Sequence, residues 1–140
     1  MNNPADLFIS TDKNKLDIKV IHAFLTKSYW AEGRTVEEVK TTIANSFCFG
    51  LFLKNEQIGF ARILSDGVVF AYLMDVFILE KHRGNGFSKI LLKEIFSHSD
   101  FANVQKWLLG TRDAHGLYKQ FGFTELSYPE RLMEWIKNKK

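Results

Sequence analysis

"DVFILEKHRGNGFSKILL", residues 75–92, runs from an apolar stretch through two glycines flanking one residue into a second apolar pattern. Val76, Phe77, Ile78 and Leu79 read as the end of a strand. Phe87, Ile90, Leu91 and, beyond the quotation, Ile95 recur at helical spacing. The order is therefore strand, loop, helix. A loop in that position aims several backbone N–H groups at one spot, and the helix N-terminus adds partial positive charge. Gly84 and Gly86 allow a ligand to approach the backbone and are free to adopt positive φ. Arg83 adds a fixed charge suited to phosphate. These features make an anion site, and a diphosphate fits it. Taken alone, the loop also reads as a helix-starting turn with a surface arginine. It is neither of two common phosphate loops: a dinucleotide fingerprint needs glycine where Lys89 stands, and no Walker Gly-Lys-Ser/Thr follows.

Working outward, "VVFAYLMDVFIL" (Val68–Leu79) is an almost uninterrupted apolar strand, which implies a central position covered on both faces. Before it, "FCFGLFL" and "QIGFARIL" are aromatic and β-branched runs joined by "KNE", a hairpin pattern, and "SDG" (Ser65–Gly67) makes the next turn. Earlier still, "LFIS" (Leu7–Ser10) reads as a short strand, and Val20/Phe24 with Ile21/Leu25 give a helix within residues 15–27. After "SYWAEGR", Thr35 and Glu38 form a capping-box pattern opening a second helix with Val36, Val39 and Ile43 on one face. Downstream, "VQKWLLGT" (Val104–Thr111) is a strand. Asp113 is placed to cap a short helix carrying Ala114, Leu117, Tyr118 and Phe121, and Gly122 is placed to stop it. "FTEL" and "RLMEWIK" read as two last strands, with a helix as the alternative for the second. The whole is a mixed α/β sheet, mostly antiparallel, with helices on both faces.

The 140 residues suit one domain, 1–140, with no linker or repeat dividing them. Thirteen Phe supply ample material for a core. A net charge of +3 with mixed signs argues against a dedicated nucleic-acid protein, whose best feature here would be the terminal "KNKK". No apolar stretch reaches a membrane span, and the first residues lack a signal-peptide pattern. Cys48 is the only cysteine, so no internal disulfide forms and a cytoplasmic setting is expected. Within its apolar strand Cys48 reads as a small buried hydrophobe. No His/Cys/carboxylate cluster has metal spacing, so no metal is expected.

The opening stretch resembles the signature of the GNAT superfamily of N-acetyltransferases, whose loop reads Gln/Arg-x-x-Gly-x-Gly/Ala. Arg83, Gly86 and Ser88 take those three places, with Ser88 departing from the usual Gly or Ala. "TRDAHGLYKQFGF" is similar to a second block of the family, a helix bearing a Tyr and a closing Gly-Phe. The element order also matches, over roughly residues 12 to 135.

The resemblance implies acetyl transfer from acetyl-CoA to a primary amine, on a small molecule or a peptide, within a GNAT fold whose splayed strand pair holds the coenzyme. Its pyrophosphate would rest on Arg83, Gly84, Asn85, Gly86, Phe87 and Ser88. Its pantetheine arm would pair with the strand edge at Val76, Phe77 and Ile78, where a backbone N–H, with Phe77 favoured, would polarise the thioester carbonyl. Tyr118 would protonate the departing thiolate, and Asp113 stands where many relatives place an Asn on the pantetheine. In isolation Tyr118 also reads as a packing residue. Asp75, a lone carboxylate in an apolar strand, is a base with raised pKa, an anchor for a substrate ammonium, or a structural acceptor for Arg62. His115 reads as an exposed histidine. For the acceptor, Tyr29, Trp30 and Arg34 offer a lined pocket with a group able to select an acid, while Trp30 reads equally as a cover for the core. Phe70 and Tyr72 point to the same cleft. The rival to an enzyme is a module that binds the coenzyme without chemistry. A homodimer is a possible assembly, with no nucleic-acid or membrane partner expected.

Overall fold

A computed structural model describes residues 6–137. The chain groups into two compact units, Met1–Gly110 and Thr111–Lys140.

The first unit holds β1 (Leu7–Ser10), α1 (Ile18–Leu25), α2 (Val36–Ala44), β2 (Phe47–Leu53), β3 (Glu56–Ser65), β4 (Phe70–Ile78), α3 (Phe87–Ser97) and β5 (Lys106–Leu109). The strands form one sheet in the order β1-β2-β3-β4-β5, antiparallel except for the parallel pair β4 and β5. This is the mixed α/β architecture expected from the sequence.

Local chemistry explains most boundaries. Thr35 and Glu38 complete the capping box of α2, with Thr35 Oγ1 accepting from Glu38 N and Glu38 Oε1 from Thr35 N. Asp17 caps α1 by accepting from Val20 N, and its own N–H donates to the buried Gln57, which ties the start of α1 to β3. The β2–β3 hairpin turns on Lys54 and Asn55, with φ of 51° and 66°. Two successive positive φ values are what a tight primed turn requires, and Asn tolerates them.

Side chains from both sheet faces are covered. Ile21, Leu25, Val39 and Ile43 of α1 and α2 pack on Cys48, Phe60 and Phe77. On the opposite face Phe47 and Phe49 meet Phe101, and Leu91, Leu92 and Ile95 of α3 are fully buried. Fully burying one such side chain contributes about 1.5–3 kcal/mol.

One boundary differs from the sequence reading. Val68 and Val69 lie outside β4 because Asp66 Oδ1 accepts from the amides of Val68, Val69 and Phe70. The carboxylate thus takes those donors away from a ladder, and the three amides hold its pKa below the usual carboxylate value.

The second unit contains α4 (His115–Lys119). Asp113 does not cap it. Thr111 Oγ1 accepts from Asp113 N and Ala114 N in the turn before the helix, and no side chain caps α4. Gly122, at φ 97°, ends the helix as expected. Phe123 N donates to Tyr118 O and Gly122 N to Lys119 O, the paired bonds of a Schellman close. "FTEL" and "RLMEWIK" form no strand among the described residues; a 3₁₀ turn at Pro129–Arg131 runs into the start of the second. Leu132, Met133, Trp135 and Ile136 are exposed and do not alternate, so they lack both the pattern and the pairing of a strand.

Candidate active site

The strand that leads into the glycine loop carries a bulge. Arg62 stands opposite Met74 and Phe60 opposite Phe77, so β4 spends one more residue than β3 over this interval. Asp75 sits there at φ 55°, left-handed backbone that Asp tolerates better than most residues. The bulge turns its buried carboxylate onto three donors. Arg62 Nε donates to Oδ2 at 2.8 Å, Arg34 Nη1 to Oδ2 at 2.6 Å, and Trp30 Nε1 to Oδ1 at 2.9 Å. Arg62 also donates from Nη1 to Ser46 Oγ at 3.1 Å. Of the three readings for Asp75, this geometry favours the structural acceptor, since both oxygens are engaged by donors.

Trp30 and Arg34 thus meet at Asp75 from the loop between α1 and α2. Its backbone is wound tightly. Ser28 Oγ accepts from Ala31 N, Gly33 N donates to Thr26 O with Gly33 at φ 80°, and Arg34 N donates to Ala31 O. Tyr29 packs edge-on against Trp30 at 5.1 Å between ring centroids. By register Phe70, Tyr72 and Met74 share the Arg62 face of β4, where Phe70 is exposed and Tyr72 half-buried.

Phe24 joins this loop to β4 and the glycine loop, a placement the sequence reading missed. Its ring stacks on Phe77 at 4.1 Å and lies 6.2 Å from Trp30, and the Arg83 guanidinium carbon is 6.0 Å from its centre. Helical spacing marked Phe24 only as apolar; nothing local signals contacts so far along the chain.

β5 pairs with β4 only from Phe70 to Leu73. Met74–Ile78 run on, held by β3 on one side and carrying no ladder on the other among the described strands. Then comes the loop. Gly84 and Gly86 adopt φ of 82° and 77°, and a Cβ on either would meet nothing within 4 Å, so the backbone faces open space. Gly86 is the N-cap of α3 and brings no side chain to it, leaving the first-turn amides of that helix without a side-chain partner. Asn85 braces the turn by donating to His82 O and Arg83 O. Phe87 is buried, so it faces the loop through its backbone, and Ser88 is half-buried. Arg83 departs from the expected role in one respect. Its N–H donates to Glu80 O and its Nε to Ile78 O, so the open N–H groups begin at Gly84.

With this geometry in view, the comparisons with known proteins are decisive. The model of the Acetyltransferase (GNAT) family matches residues 18–123, which span the bulged strand, the glycine loop and α4. The chain belongs to the GNAT acetyltransferase family. A Gibberella zeae protein named "Putative acetyltransferase" is 32% identical over 108 residues, 63% of this chain and 61% of that protein, so the chain spans under two thirds of that relative. A Xanthomonas campestris pv. campestris crystal structure, titled as a "putative acetyltransferase belonging to the gnat family", is 43% identical. It superposes with a TM-score of 0.90 over 93% of this chain and 92% of that one. A GNAT family acetyltransferase from Streptococcus pneumoniae, 22% identical, shares the fold with a TM-score of 0.71 over 95% and 99% of the two chains.

In the second unit the GNAT-type helix carries Tyr118, whose ring meets Phe123 edge-on at 5.9 Å; the Schellman close fixes that pair. Asp113 and His115 are exposed. Cys48 is buried with its thiol directed at Ile43 O and Ser46 O, and burial pushes it up to about 11. Among the described residues no three His, Cys, Asp or Glu side chains come together as metal ligands, and no helix is long and apolar enough to cross a membrane.

Proposed function

We propose that this chain is an N-acetyltransferase that moves the acetyl group of acetyl-CoA to a primary amine of a small molecule or peptide. The observation that carries the proposal is the opening at Gly84 and Gly86. Two left-handed glycines with empty space above them stand at a helix start that no side chain caps. That is a cradle for a diphosphate. The adjoining Met74–Ile78 edge, without a β5 partner, suits a ligand with amide groups of its own.

Acetyl-CoA would supply an activated thioester. The amine nitrogen bonds to its carbonyl carbon, the carbon–sulfur bond breaks, the amine loses a proton and the sulfur gains one. The backbone from Gly84 to Ser88 would hold the pyrophosphate. The Val76–Ile78 edge would offer the thioester oxygen an N–H from Val76 or Ile78 rather than from Phe77. Phe77 pairs opposite Phe60 and directs its N–H to β3, as Leu79 does to Ile58 O. Tyr118 would give its hydroxyl proton to the departing thiolate. Phenol ordinarily titrates near pKa 10 and a thiol near 8.5, so that transfer needs help from the site. Asp75, held by three donors, serves here to position Trp30 and Arg34, and water takes the amine proton. A buried free thiol at Cys48 fits a reducing compartment such as the cytoplasm.

Calorimetric titration with acetyl-CoA tests this on the wild type and on an Arg83→Glu, Gly86→Glu double variant whose folding is checked by circular dichroism. Micromolar binding that the variant loses is expected, followed by amine-dependent thiol release. Wild-type protein that binds no acetyl-CoA would overturn the proposal. Binding with no turnover over a broad amine panel would leave a coenzyme-binding module.

A further inference from the structure

The cluster at Asp75 is unbalanced in charge. One carboxylate faces two guanidinium groups, Arg34 and Arg62, and Trp30 adds a neutral donor. Arg62 is spent inside the protein, with Nε on Asp75 and Nη1 on Ser46 and a side chain only 6% exposed. Arg34 is not. Its side chain is 18% exposed, and its one ion pair among the described residues runs from Nη1 to Asp75. No buried side-chain nitrogen or oxygen lacks a partner among the described residues, so the remaining Arg34 donors reach the surface. The surplus unit of positive charge therefore sits on the outward part of Arg34. It is held still by a buried carboxylate and by a backbone fixed between Gly33 and the α2 cap.

Two exposed rings stand next to it in the same loop, Tyr29 at 45% and Trp30 at 40% exposure, braced edge to face. Such rings present flat apolar area at small entropic cost. A preorganised guanidinium with free N–H groups binds a planar carboxylate through paired charge-assisted hydrogen bonds. One surplus charge matches one monoanionic group.

We propose that the acceptor amine carries a carboxylate, which Arg34 binds while the apolar body of the molecule lies against Tyr29 and Trp30. The acceptor class is thus amino-acid-like rather than a polyamine or simple alkylamine. This inference rests on the acetyltransferase reading for its chemistry, and on Arg34, Arg62 and Asp75 for its selectivity.

The test pairs ligands that differ only in the carboxylate: phenylalanine with phenethylamine, tryptophan with tryptamine, and 4-aminobutyrate with propylamine. Calorimetric binding in the presence of CoA is measured beside thiol release from acetyl-CoA. At least one acid should outbind its amine by about tenfold or more. In Arg34→Gln that ratio should collapse toward unity, while Arg34→Lys should keep part of it. A purely structural arginine would weaken both members of a pair alike. Amines that match or surpass the acids throughout the wild-type panel overturn the inference, and that comparison needs no variant to fold. A preference that survives Arg34→Gln also overturns it. Preference in binding with no thiol release would count against acetyl transfer and leave the carboxylate site standing.

Discussion

Trp30 and Asp75, 45 positions apart in sequence, are joined by a 2.9 Å hydrogen bond from the indole N–H to Oδ1. Through it the loop between α1 and α2 is fastened to the bulge of β4. The loop and the strand that leads into the glycine loop thereby become one construction.

That construction depends on a carboxylate at a left-handed position. Asp75→Ala should destabilise the protein by about 3–5 kcal/mol, because the buried Arg62 guanidinium and the half-buried Arg34 lose their counter-charge. Asp75→Asn keeps the shape and the backbone tolerance, so it should cost less. Urea unfolding of both variants gives the comparison. Equal losses would show that the charge is not what matters.

Gly86 separates strain from crowding. At φ 77° with nothing within 4 Å of a Cβ, an alanine fits the space but not the backbone. Gly86→Ala should cost about 1–2 kcal/mol and Gly86→Asn less, since Asn visits this conformation more readily. Denaturation midpoints of the two variants decide it, and a neutral alanine would refute the strain argument.

Under the proposed function, Tyr118→Phe keeps the ring against Phe123 and removes only the hydroxyl. We expect kcat to drop about 100-fold or more, the usual scale for a general acid, with acetyl-CoA affinity little changed. Steady-state kinetics and calorimetry read the two separately. An unchanged kcat would exclude the tyrosine as proton donor.

Cys48 makes stability fall in alkali. Its folded pKa is raised from 9.0 to about 11 by burial, so the unfolded chain loses that proton first as pH rises. The stabilisation is intact below pH 9.0 and is lost toward pH 11, reaching roughly 1 kcal/mol by pH 10. Urea midpoints at pH 8 and pH 10 should show this drop in the wild type and less of it in Cys48→Ala. A disulfide reagent such as DTNB should label the native thiol slowly.

What could be read in the sequence was largely local. The capping box of Thr35 and Glu38, the Lys54–Asn55 turn, the stop at Gly122 and the glycine loop each declare themselves within a few residues. The lone carboxylate of Asp75 was also conspicuous, and Arg62 was foreseeable as a partner from the neighbouring strand. Trp30 and Arg34 as further partners were not, because pairing across 45 and 41 positions leaves no local pattern. Phe24 was hidden for the same reason. At Asp113 the expected cap is missing: its own N–H is taken by Thr111 Oγ1 in the turn before α4, and no side chain caps that helix. "FTEL" and "RLMEWIK" failed as strands because a strand is defined by its neighbour, which composition does not supply.

The bulge at Asp75 has a protective side as well. Beyond Leu73 the outer margin of β4 is a row of main-chain groups with no β5 partner, the kind of template on which a foreign strand can grow into an aggregate. A long flat margin would invite that. Here the stretch is five residues, and the extra residue kinks it away from the straight geometry that stacking chains need. The same irregularity that lies on the unpaired margin makes it a poor seed for misassembly.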